Sequence, residues 1–133
     1  MENLEIKETE FTPQVKFDWS NNYFEFDGVS RPENVFLFYE PILDWMTTYE
    51  SELYKNHVSA GKKFDVKVVF KFSYFNSASA KMIYNMLECL LRIKQMGYIL
   101  TIDWYSEDGD DQMRDDGEEL SEAIDIPFNF RIE

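Results

Sequence analysis

Apolar and polar positions alternate near both ends of the chain and recur at helical spacing in three stretches between. Residues 4–8 and 14–19 read as strands. Residues 23–27 set Phe24 and Phe26 against acids, and Ser20-Asn21-Asn22 before them is a turn signal. Asparagine tolerates the left-handed backbone that tight hairpins need, so this region predicts an antiparallel hairpin. Val35, Phe38, Tyr39, Ile42, Trp45, Met46, Tyr49 and Leu53 then repeat as one helical face. Ser30-Arg31-Pro32-Glu33 has capping-box spacing for its start, with Asn34 as a competing cap. Pro41 removes a backbone donor and predicts a kink or a restart.

Residues 55–63 read as a polar connection. Residues 64–75, rich in Val and Phe with Lys67 and Lys71 interleaved, carry the strongest strand signal. A helix is predicted over 76–95, stopped by Gly97, then a strand over 98–105. Met113, Leu120, Ala123 and Ile124 give a weaker helical pattern, and 126–132 reads as a last short strand. Strands joined by crossover helices favour parallel neighbours. The expected fold is α/β (α+β): one domain over 1–133, a mixed sheet with an N-terminal antiparallel hairpin, and about three helices packed mainly on one face.

Charge narrows the possible roles. The 133 residues carry 13 bases and 26 acids, for a net charge of −13. Nucleic acid and anionic membrane surfaces both require clustered positive charge, so neither is an expected partner. Between 103 and 125 there are eleven carboxylates and one base, Arg114. A calcium loop begun at Asp108 would place Met113 where glycine is needed, so the stretch reads as a solvated acidic face and no metal is expected. The N-terminus is charged, without an apolar leader, and a cytoplasmic location is expected.

No catalytic set is visible. The sole histidine, His57, falls in the polar connection, and the sole cysteine, Cys89, falls inside an apolar helical stretch where a small buried hydrophobe is the ordinary role. The five glycines form no phosphate-binding loop, so no cofactor is expected.

The segment Asn76-Ser77-Ala78-Ser79-Ala80-Lys81 joins the best strand to the best helix. Lys81, Asn85, Glu88, Arg92 and Gln95 form one polar stripe, and one turn back it reaches Ser77. Ser79 instead leads to Ile83 and Met86 and points toward the core. Ser77 is thereby an exposed hydroxyl at a helix N-terminus, where free amides and the helix dipole favour negative charge. A phosphate there would bring about −1.5 to −2 charges at pH 7. Ser77 is the expected phosphorylation site, with Ser79 the secondary candidate. Asn76, Ser77 and Lys81 are the expected partner-binding residues.

This segment resembles the phosphosite motif of the SiaC family of bacterial regulatory phosphoproteins. Arg31-Pro32-Glu33-Asn34, residues 38–45, Asp103-Trp104-Tyr105, Gly117-Glu118-Glu119 and Pro127-Phe128 resemble that family too, in order, over residues 12–130. The resemblance implies a fold like the STAS domains of anti-sigma-factor antagonists. It implies a dedicated serine/threonine kinase and a PP2C-type phosphatase as partners. It also implies that the unphosphorylated form binds and activates a diguanylate cyclase, raising cyclic di-GMP and promoting biofilm formation. An anti-sigma-antagonist type of partner switching with another output is the alternative. The family's acceptor is often threonine; here the aligned residue is Ser77.

Overall fold

A computed structural model describes the backbone of residues 1–60 and 63–133, and the side chains of these except 57–60. The elements are β1 (Leu4–Ile6), β2 (Gln14–Asp18), β3 (Tyr23–Ser30), α1 (Val35–Ala60), β4 (Asp65–Phe75), α2 (Ser77–Gln95), β5 (Ile99–Ser106), α3 (Asp111–Ile124) and β6 (Asn129–Ile132). They form an α/β fold in which the six strands lie in chain order. β1, β2 and β3 are antiparallel, and β3 to β6 run parallel. The hairpin turn uses a left-handed Asn22, φ 53°. Three crossovers that step the same way across a sheet, each right-handed, place their helices on one side of it.

Burial alternates accordingly. Phe24 and Phe26 of β3, Val66, Val68, Phe70 and Phe72 of β4, and Ile102 and Trp104 of β5 point into the core. Tyr39, Ile42, Met46, Tyr49 and Leu53 of α1 meet them, with Met82, Ile83, Met86, Leu87, Leu90 and Ile93 of α2. Many of these contacts are aromatic, such as Phe26 stacked on Phe70 at 5.6 Å and Phe24 edge-on to Tyr49 at 4.8 Å.

Among the described residues, the opposite face of the sheet carries no helix and is mostly polar. Asp103 of β5 is only 3% exposed there. It is compensated by Lys67 Nζ at 3.3 Å, by the Asn129 side-chain amide at 3.1 Å and by Arg131 at 4.0 Å. A nearly buried carboxylate needs such partners to remain tolerable. Asp103 therefore adds little to the acidic field, which comes from the outward residues of α3 and the turn before it.

Two sequence expectations are corrected, and a third is narrowed. The predicted connection over 55–63 is helical as far as Ala60: after Pro41, α1 meets no glycine or proline before Gly61. The side chain of His57 lies outside the described residues. The helix runs through Pro41 without a restart. The carbonyl that loses its donor there is that of Leu37, in an exposed first turn where water can replace the bond. Finally, Ser30 is no helix cap. It ends β3, and Asn34 caps α1 by accepting the Leu37 amide at 3.1 Å.

One irregularity sets the geometry of the sheet's C-terminal edge. Gly28 pairs with Phe72, but Val29 pairs with Tyr74, so Ser73 is an extra residue in β4. Gly28 sits at φ 124°, a backbone state other residues resist. The bulge reverses the inward-outward order of β4: Ser73 and Tyr74 are both exposed, and Phe75 turns in to pack edge-on against Trp104 at 5.9 Å. Bulges commonly re-aim side chains beside functional sites. Here it brings Phe75 level with Ser30, so that the next residue, Asn76, meets the end of β3.

Candidate functional site

Asn76 leaves β4 extended, with φ −86° and ψ 172°, and α2 begins at the next residue. Its side-chain oxygen accepts the Ser79 amide at 2.8 Å, the usual way an asparagine caps a helix. Its own amide donates to the Ser30 carbonyl at 3.1 Å, and its carbonyl accepts the Ala80 amide at 2.9 Å. Among the described residues, the amides of Ser77 and Ala78 have no protein acceptor. These two unspent donors, and no acid in the first turn, make this helix end receptive to negative charge.

The two serines differ as the stripe predicts. Ser77 is exposed, whereas Ser79 is completely buried. The Ser79 hydroxyl donates to the Ser30 carbonyl at 3.0 Å and accepts from the Ser30 hydroxyl at 2.9 Å. A kinase cannot reach a hydroxyl so enclosed without opening the fold. Lys81, one turn beyond Ser77, is exposed, and Glu88, Arg92 and Gln95 continue the same outward line.

Beside this turn lies the start of α1. Phe36 is 67% and Leu37 72% exposed, the largest exposures of any large apolar side chain among the described residues. A shallow groove between α1 and α2 is lined by Phe36, Glu40, Leu43, Asp44, Met82 and Asn85. Sequence reasoning missed this part of the surface, although Phe36 and Leu37 fall off the apolar face of the predicted helix. An apolar floor with an acidic rim suits an amphipathic segment carrying basic residues.

Elsewhere the candidate chemistry is inert. Cys89 is buried between α1 and α2 and donates to Glu50 Oε1 at 3.0 Å. Glu50 is also gripped by Arg92 through two nitrogens, at 2.8 and 3.0 Å, and this pairing holds its carboxyl below the usual range. Burial and the neighbouring carboxylate push the Cys89 thiol up to about 12. A thiol this far from ionising is a poor nucleophile. In native protein at pH 8, Cys89 is expected to resist dithionitrobenzoate for hours and to react at once in denaturant. Rapid native labelling would show that the helix pair opens. On α3, Asp110 caps the helix by accepting the Met113 amide at 3.1 Å. Among the described residues, no group of three or more possible ligands is placed to hold a metal, and no helix is long and apolar enough to cross a membrane.

Three comparisons with known proteins bear on this geometry. The model of the SiaC family regulatory phosphoproteins matches residues 6–133. An uncharacterized protein of Pseudomonas aeruginosa is 23% identical over 128 residues, which cover 96% of this chain and 94% of the relative. Solved structures share the fold. SiaC of Pseudomonas aeruginosa superposes with a TM-score of 0.82 at 22% identity, over the full length of both chains. A chain in the crystal structure of the diguanylate cyclase SiaD in complex with its activator SiaC, from the same organism, gives 0.83 at 22% identity, over 98% of this chain and 99% of that one. With the family pattern running through nearly every element, from the hairpin to β6, this chain belongs to the SiaC family of regulatory phosphoproteins.

Proposed function

We propose that this chain is a phosphorylation-controlled binding protein, not an enzyme. Its unmodified form binds and regulates a diguanylate cyclase through the surface formed by Asn76, Ser77 and Lys81, together with the α1 turn at Phe36 and Leu37. A serine/threonine kinase phosphorylates Ser77 and releases the partner, and a PP2C-type phosphatase restores binding. The single observation that carries this reading is the opposite placement of two serines two residues apart. Ser77 is open to solvent at a helix end with unspent amides, and Ser79 is sealed in the core. Membership of the regulatory family, and the solved complex of SiaD with its activator SiaC, support this partner class. The protonated, buried Cys89 supports the non-enzymatic reading.

The site is tested by treating the purified chain with a kinase of the family and ATP, then measuring intact mass and mapping peptides. One phosphate on Ser77, absent from Ser77→Ala, is the expected result. Dominant phosphate on Ser79, or undiminished labelling of Ser77→Ala, would sink the assignment.

A further inference from the structure

Beneath the Ser77 turn lies a chain of buried hydroxyls that neither helix capping nor core packing requires. Ser30, Tyr39 and Ser79 are each no more than 1% exposed, and they come from β3, α1 and α2. The Ser30 and Tyr39 oxygens are 2.6 Å apart, and the Ser30 and Ser79 oxygens 2.9 Å apart. Proton counting fixes the direction. Each hydroxyl has one proton to donate. Ser79 spends its proton on the Ser30 carbonyl at 3.0 Å, and Ser30 spends its own on Ser79. Tyr39 must then be the donor to Ser30. The Ser30 carbonyl also accepts the Asn76 amide, so both of its lone pairs are used.

We propose that Tyr39 is a positioning residue for the Ser77 site, acting through Ser30 and Ser79 to couple the α2 N-terminus to the exposed α1 turn at Phe36 and Leu37. The inference rests on the reading of Ser77 as the switch, and it names how that switch reaches a second part of the binding surface. A negative charge on Ser77 draws the free amides of its own turn. Movement of that turn shifts Ser79, and the shift is handed through Ser30 to Tyr39, one turn into α1. The chain has no slack: every proton has one acceptor, and no buried water or alternative partner is needed to complete it. Buried polar groups in low dielectric resist such a break strongly, which lets a small displacement travel. Loss of the partner on phosphorylation is then a property of both halves of the surface, not of local repulsion at Ser77 alone.

A double-mutant cycle on the full-length chain tests this, with backbone amide chemical shifts of Phe36 and Leu37 as the readout. Ser77→Asp supplies the charge. Tyr39→Phe removes the one hydroxyl and keeps the ring that packs edge-on against Phe38 at 5.0 Å. Ser79→Ala breaks the same chain from the other end. In the wild-type background, Ser77→Asp is expected to shift both amides. In the Tyr39→Phe and Ser79→Ala backgrounds the shift is expected to shrink by about threefold or more, because coupling between residues in one network is what such a cycle isolates. A merely structural hydroxyl would lower the melting temperature without changing this difference of differences. Shifts of equal size in all backgrounds, or no shift in the wild type, overturn the proposal. Failure of the Ser77 reading is separate: phosphate mapped to another residue would leave the measured coupling standing.

Discussion

Ser77→Asp is expected to weaken partner binding by two orders of magnitude or more while leaving the circular dichroism near native. At an interface, the added charge must be desolvated, and burying a charge without a counter-ion costs several kcal/mol. Each 1.4 kcal/mol is a factor of ten in affinity, so about 3 kcal/mol accounts for the expected loss. The fold is spared because the charge falls where α2 can accept it: the Ser77 and Ala78 amides have no protein acceptor among the described residues, and no acid occupies the first turn. Exposed charges at helix ends contribute only about 0.3–1 kcal/mol, and here the sign is favourable. Ser77→Ala should keep binding, and Lys81→Glu, one turn along the same face, should weaken it. Calorimetry with a purified diguanylate cyclase partner is the measurement. Equal affinity for the aspartate variant, or for phosphorylated and unmodified protein, would reduce Ser77 to an ordinary first residue of a helix.

The largest expected effect on stability comes from one methyl group, in Gly117→Ala. Gly117 is buried in α3, and a Cβ there would lie 2.5 Å from Trp104 Cδ1 and Nε1 and 2.7 Å from Cε2. The indole cannot step aside. It is fully buried, its N–H donates to the Met113 carbonyl at 2.9 Å, and its ring stacks on Phe128 at 5.9 Å with Phe70 and Phe75 close on other sides. Alanine gains about 1 kcal/mol over glycine in a helix. Overpacking a core costs about 1–3 kcal/mol and at times more. Losing the indole hydrogen bond in a buried setting adds about 1–3 kcal/mol. A net loss of about 3 kcal/mol is expected, or roughly 10 °C in melting temperature for a chain of this size. An unchanged or raised melting temperature would mean that α3 can lift from the sheet freely.

These two residues mark how far the sequence could be read. The contrast between Ser77 and Ser79 was visible without coordinates because it is local. A helix repeats every 3.6 residues, so the stripe through Lys81, Asn85, Glu88 and Arg92 extends back to Ser77, while Ser79 falls in line with Ile83 and Met86. The hairpin, the order of strands and helices and the burial of Cys89 were legible for the same reason. The groove at Phe36 and Leu37 left only a weak trace, two apolar residues off the helical face, because a groove needs a second element and α2 supplies it.

Gly117 appeared as one member of a short motif, and nothing near it in the chain says why it is glycine. The reason is Trp104, thirteen positions earlier and on another element. Ser30 shows the limit most clearly. Its spacing to Glu33 is that of a capping box, yet the residue ends a buried strand and its hydroxyl joins Tyr39 to Ser79. The bulge at Ser73 decided this by turning Phe75 inward and setting Asn76 against the end of β3. Periodicity along the chain determined which residues share a face and where helices begin. Contacts between residues far apart in sequence depend on register, crossover and close approach, and only the assembled sheet and helices could decide those.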